Sequence, residues 1–204
     1  MGTDGRGNPC KKFHIKPEIR VLGIDDSAIL DERVLLVGCV FRGGEWLDGV
    51  LSAYVSRDGL EATEVIIGMI KGTKHFGQVR LLMLDGITYA GFNTVDVASL
   101  YQKTGLPIIV VMRAYPDFGS IRAALRHLDR ADERWDMIRA AGEIKPVTTR
   151  EPDNPVFIQY IGICIEEAGE VVRMTSTRSN IPEPLRVAHL IAGGIVLGES
   201  SGKA

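Results

Sequence analysis

Aromatic residues are scarce, at 6% of 204 residues, and cysteine is scarcer still, at three. Cys10, Cys39 and Cys164 are too few and too widely spaced for a disulfide framework or a zinc knuckle. No apolar run approaches the roughly 18 residues that suggest a membrane span; Leu81-Leu82-Met83-Leu84 stops at Asp85. The stretch Met1–Gly7 has neither the apolar segment of a secretory signal nor the Ser or Thr of a myristoylation sequence. A cytoplasmic protein without a membrane partner is therefore expected. Excess positive charge is missing too, since 24 Lys and Arg stand against 26 Asp and Glu for a net charge of -2. That balance removes a global pull toward nucleic acid but leaves room for a metal ion to neutralise phosphate locally. The four histidines lack zinc spacing, no serine lies in a nucleophile elbow, and Gly43-Gly44 and Gly193-Gly194 lack the remainder of a phosphate loop.

With 45% apolar and 25% charged residues, the chain reads as one globular domain over residues 17–204 behind a flexible N-terminal tail of residues 1–16. Ile19 to Ile24 and Val34 to Phe41 are continuous apolar runs, and Trp46 to Val55 follows the turn Arg42-Gly43-Gly44 as a hairpin partner. The period then changes to helical from Leu60 to Ile70, with Asp58 and Glu61 spaced as a capping box. Val79 to Leu84 and Pro107 to Met112 predict two further strands separated by a helix over Val95 to Tyr101. Ser120 to Ala141 is charged and helical, with a break near Asp129; its arginines, Arg134 among them, alternate with acids as on a solvated face. Phe157 to Ile163 has the pattern of a late strand, and Ile165 to Met174 and Glu183 to Leu197 are helical. Three antiparallel strands followed by two strand–helix crossovers give the layout of a ribonuclease H-like mixed five-stranded sheet with flanking helices.

The most chemical feature is positional. Asp25 ends the first strand and Asp85 the fourth, and in open sheets ligands collect at strand ends. Asp58, Glu61 and Glu64 are available at the start of the first helix to add a third acid. Clustered carboxylates without cationic partners repel one another, and a hard divalent cation such as Mg²⁺ or Mn²⁺ relieves this. Each acid also has a plain structural use, because Asp-Gly is a common turn and Asp58 can simply cap a helix. Cys39 and Cys164 lie in apolar surroundings that suit inert core thiols.

Longer strings carry a resemblance. Val21-Leu-Gly-Ile-Asp-Asp-Ser27, Leu84-Asp85-Gly86, Gly105-Leu-Pro-Ile-Ile-Val-Val-Met-Arg113 and Ile181-Pro-Glu-Pro-Leu-Arg-Val-Ala-His189 resemble motifs of endonuclease V. More closely, His14 to Ser27 and Asp85-Gly-Ile-Thr-Tyr-Ala-Gly-Phe-Asn93 resemble the archaeal domain-of-unknown-function family 99, an uncharacterised relative of endonuclease V. The resemblance implies an endonuclease V-like domain and Mg²⁺- or Mn²⁺-dependent cleavage of a phosphodiester in DNA or RNA, near a deaminated base such as inosine. It places Asp25 and Asp85 as metal ligands and catalytic acids, with Asp58 or Glu61 completing the set. Arg113 stands where the family has a lysine and would touch phosphate, with Asn93 and Tyr89 beside the substrate. Two family features are missing: Gly91 replaces a histidine, and Tyr54 to Asp58 is too short for the base-prying loop. The alternative is therefore a catalytically inactive relative acting as a nucleic-acid- or protein-binding module. A third reading is an enzyme on a small phosphorylated metabolite, and no oligomeric state is implied.

Overall fold

The computed structural model describes residues 3–8, 10 and 13–200. Nine strands and six helices are formed among them: β1 (Arg20–Asp26), β2 (Arg33–Arg42), β3 (Trp46–Ser56), α1 (Ala62–Lys71), β4 (Leu81–Asp85), β5 (Thr88–Tyr89), β6 (Asn93–Thr94), α2 (Val97–Thr104), β7 (Ile108–Met112), α3 (Phe118–Leu125), α4 (Ala131–Ala140), β8 (Lys145–Val147), β9 (Val156–Ile161), α5 (Ile165–Thr175) and α6 (Glu183–Leu197). Seven strands form one sheet in the order β3-β2-β1-β4-β7-β9-β8, while β5 and β6 make a small separate hairpin. The first five are the meander and two crossovers expected from the sequence. β9 then pairs antiparallel with β7, and β8 with β9, which extends the sheet at the far side.

The central strands β1, β4 and β7 are parallel neighbours buried on both faces, so their sequences are unbroken apolar runs rather than alternating ones. One face packs Leu22, Ile24, Leu82 and Leu84 against α1 and α2. The opposite face packs Val21, Leu81, Met83 and Ile109 against α5 and the start of α6, while Leu35, Val37 and Cys39 of β2 meet Ala188 and Ala192 of α6.

Gly23 is what lets α6 lie close. A Cβ there would stand 2.5 Å from both the carbonyl carbon and the Cβ of Pro184. The helix opens with Pro184 in its first turn, where the missing N–H is no loss, and with a bidentate Glu183–Arg186 pair at 2.7 and 2.8 Å. From Pro184 to His189 the helix advances about 7.5 Å, close to the roughly 6.6 Å from Gly23 to Asp25 along β1. His189 is thereby set over the end of the strand.

Two local expectations change. α1 starts at Ala62, and Asp58 does not cap it; Asp58 has a left-handed backbone (φ 49°) and its carboxylate accepts the Phe92 N–H at 2.8 Å. Cys164 is not a lone core thiol, because it forms a disulfide with Cys10 across 154 residues. Within the segment 1–16, residues 1, 2, 9, 11 and 12 lie outside the described residues. The Gly5 N–H donates to the Tyr160 carbonyl at 3.1 Å, and its own carbonyl accepts from Glu143. No helix among the described residues is long and apolar enough to cross a membrane.

Candidate metal centre

β1 and β4 are in parallel register, with Ile24 opposite Leu84, so Asp25, the last residue but one of β1, and Asp85, the last of β4, stand at the same level on adjacent strands. Adjacent strands lie about 4.8 Å apart, which brings the two acids side by side. Asp25 is 5% exposed; its Oδ2 lies 2.9 Å from His189 Nδ1 and its Oδ1 accepts the Asp26 N–H at 2.8 Å. Asp85 meets Arg113 at the end of β7, Oδ2 to Nη2 3.3 Å. Asp26 points to the other face of the sheet edge, where its Oδ2 accepts the Ala90 N–H at 2.5 Å.

The electrostatics show a site short of positive charge. Burial, reinforced by the Asp25 charge and only partly offset by Arg113, pushes the Asp85 carboxyl up to about 7. Asp26 is raised to about 6, chiefly by burial. The Asp25 carboxylate hydrogen-bonded to His189 raises the imidazole above its usual value, against the opposing effect of burial. Protons therefore stay at this edge near neutral pH, in positions where a divalent cation would displace them. The donor set of carboxylate oxygens and one imidazole suits such an ion. Among the described residues, though, no three of Asp25, Asp26, Asp85 and His189 bring donor atoms within 4.8 Å of one another. The one trio that does is Cys164, Glu166 and Glu167, and its sulfur is already in the disulfide.

The other sequence candidates lie close by in different settings. Glu61 accepts the N–H groups of Ser56 (2.5 Å) and Leu60 (2.9 Å); burial works upward, but these bonds outweigh it and hold the carboxyl below its usual range. Asp58 is tied to the β5–β6 turn, as described above. Tyr89 is fully buried, donates to the Ile24 carbonyl at 3.1 Å and has its hydroxyl pKa driven upward by burial and the nearby acids. Asn93 is also fully buried, accepting the Ala62 N–H at 2.9 Å and donating to the Ser56 carbonyl at 3.0 Å. Both side chains thus face protein. Gly91 holds φ 90°, and a Cβ there would meet Asp58 Oδ1 at 2.4 Å, so this turn has no room for a side chain. Sequence reasoning assigned no role to Asp26 or His189, although both stood inside the strings already singled out.

A cavity of about 180 Å³ is walled by Gly86, Ile87, Phe92, Met112, Phe118 and Ile121 among others; it opens on the face of the sheet that Leu84 and Val110 share, opposite the one toward which Asp85 and Arg113 point.

Residues 17–196 match the family described as Endonuclease dU. The chain belongs to this family. A UPF0215 protein of Methanosarcina acetivorans is 62% identical over 192 residues, spanning 94% of this chain and 98% of that protein. Among solved structures, a protein of unknown function from Archaeoglobus fulgidus superposes with a TM-score of 0.79 at 37% identity, over 87% of this chain and 98% of that one. Endonuclease V of Ciona intestinalis, in complex with a 24mer DNA containing an inosine followed by a ribo-adenosine, superposes with a TM-score of 0.58 at 16% identity, over 83% and 82%. This last likeness shows that the chain has the ribonuclease H-like fold of endonuclease V.

Proposed function

We propose that this chain is a divalent-metal-dependent endonuclease that hydrolyses a phosphodiester bond in DNA or RNA at a strand-end acidic site. The observation that carries the reading is the adjacent pair Asp25 and Asp85, buried beside His189 with too little positive charge to compensate them. Asp25 and Asp85 hold the ion, Mg²⁺ or Mn²⁺, with Asp26 and His189 beside them. When bound, such an ion polarises the phosphoryl oxygen and acidifies a water. Arg113, 44% exposed at the rim, is placed to pair with a phosphate oxygen. His189 is positioned to accept or return a proton at the nitrogen not bonded to Asp25. Asp58 and Glu61 support the turns around the site. The family's description makes deoxyuridine in DNA the first substrate to try, with inosine second.

The experiment is cleavage of end-labelled oligonucleotides carrying one deoxyuridine or one inosine, with Mg²⁺ or Mn²⁺, by the native chain and by Asp85→Asn. Cleavage lost in Asp85→Asn supports the reading, and intact strands with every metal and substrate oppose it. A second reading, a binding module without catalysis, is favoured by the engagement of Asp58 and Glu61 within the protein and the pairing of Glu64 with Lys103, which leaves no third acid free at the start of α1. Binding of the same strands without cleavage, unchanged by Asp85→Asn, would select it.

A further inference from the structure

Arg134 sits in a helix whose alternating charges suggest a solvated face, yet it is only 3% exposed. Among the described residues, its hydrogen-bond partners are carbonyl oxygens and no carboxylate. Its Nε donates to the Asp129 carbonyl (3.0 Å), Nη1 to those of Gly59 (2.6 Å) and Phe92 (2.5 Å), and Nη2 to that of Asp58 (2.7 Å). A buried guanidinium is costly unless its donors are satisfied, and here main-chain oxygens take four of its five N–H groups. Its rigid fork fixes the direction of each carbonyl it grips, which a lysine ammonium would not do.

The gripped carbonyls belong to segments with unusual backbones. Among the described residues, three non-glycine residues have positive φ: Asp58 (49°), Ala90 (48°) and Arg130 (56°). All three lie in the segments that Arg134 joins. Asp58 and Ala90 face each other across two turns, the Asp58 N–H donating to the Ala90 carbonyl and the Phe92 N–H to the Asp58 carboxylate, both at 2.8 Å. L-residues hold such conformations only where the surroundings over-determine them. The network then runs to the acidic edge: the Ala90 N–H binds Asp26 Oδ2, and the Asp26 N–H binds Asp25 Oδ1.

We propose that Arg134 is a positioning residue for the acidic site, locking two left-handed turns so that Ala90 orients Asp26 and, through it, the Asp25 carboxylate. Its consequence for metal binding rests on the function proposed above, whereas its hold on the turns does not.

The test compares the native chain with Arg134→Met, which keeps the apolar stem, and Arg134→Lys, which keeps the charge. Two quantities are read well below the unfolding temperature: Mn²⁺ affinity by electron paramagnetic resonance, and hydrogen exchange of the Ala90 and Phe92 amides without metal. Arg134→Met is expected to speed those two amides at least tenfold, leave the Val110 amide of β7 unchanged and weaken Mn²⁺ at least tenfold. Arg134→Lys falls between, and Ala90→Gly added to Arg134→Met recovers part of the affinity by relieving one left-handed residue. Native exchange at both amides, or native Mn²⁺ affinity in Arg134→Met, overturns the proposal, as does a uniform rise in exchange across the sheet. If Arg134→Met does not fold, native affinity and exchange in Arg134→Lys overturn it equally. If the native chain itself binds no Mn²⁺, the metal reading fails, and the two amides still decide whether Arg134 holds the turns.

Discussion

Replacing Asp85 by asparagine should stabilise the metal-free protein while removing its chemistry. Asp85 has a side chain only 10% exposed and ionises at about 7 instead of 3.8, so its charge is less favourable in the folded state than in the unfolded one. A carboxyl raised on folding contributes no penalty below about pH 4. The penalty grows as pH rises from there and is complete above about 7. A rise of that size sets an upper limit of about 4 kcal/mol. Asparagine removes this penalty, from which the attraction to Arg113 is already subtracted. Allowing also for relaxation around the charge, we expect a net gain of about 1–3 kcal/mol at pH 8, or about 3–10 °C in Tm for a chain of this length. The assay is thermal unfolding of both proteins in a chelator, at pH 8 and again at pH 4.5, where the difference should fall to about a quarter of its pH 8 size. A saturating divalent cation at pH 8 should reverse the order, because only the native site gains from the ion. An Asp85→Asn protein no more stable than the native chain at pH 8 in chelator would refute the claim that this edge carries uncompensated negative charge.

Gly23→Ala should destabilise the protein by about 2–3 kcal/mol through overpacking against Pro184, read as a lower urea midpoint; an unchanged midpoint would mean that α6 is not seated on β1 as described. Cys10→Ser, or a reductant acting on the native chain, should cost about 2–5 kcal/mol by releasing a closure of 154 residues, and equal Tm values with and without reductant would argue against the Cys10–Cys164 bond. Asn93→Ala should cost about 1–3 kcal/mol by leaving the Ala62 N–H without its acceptor and taking from the Ser56 carbonyl one of its two donors, the other being the Gly59 N–H. Unchanged stability together with weaker binding of nucleic acid would instead make Asn93 a substrate contact.

The sheet was legible because its central strands are continuous apolar runs, and each ends where a charged residue interrupts it, as Leu84 does at Asp85 and Met112 at Arg113. α6 could be bounded at Glu183 and Leu197 because Pro184 fits a first helical turn and Gly198 follows the last. The acids near α1 were harder to assign. Asp58 and Glu61 have the spacing of a capping box, but a left-handed backbone at Asp58 turns its carboxylate toward Phe92, and φ signs are not written in local composition. Arg134 was hidden for a related reason, since its neighbours in α4 are charged and its partners are carbonyls distant in the chain. Cys10 and Cys164 lie too far apart for any spacing rule to pair them. His189 was visible within its string, but only the close approach of α6 at Gly23 brings it to Asp25.

The central claim is tested most directly by calorimetric titration of Mn²⁺ into the native chain and Asp85→Asn at pH 6.5, each in two buffers of different ionisation enthalpy. The account predicts saturable binding to the native chain with a buffer-dependent heat, because the ion displaces protons held by Asp85 and Asp26, and loss of that binding in Asp85→Asn. No binding to the native chain, or equal binding to both proteins, would contradict it.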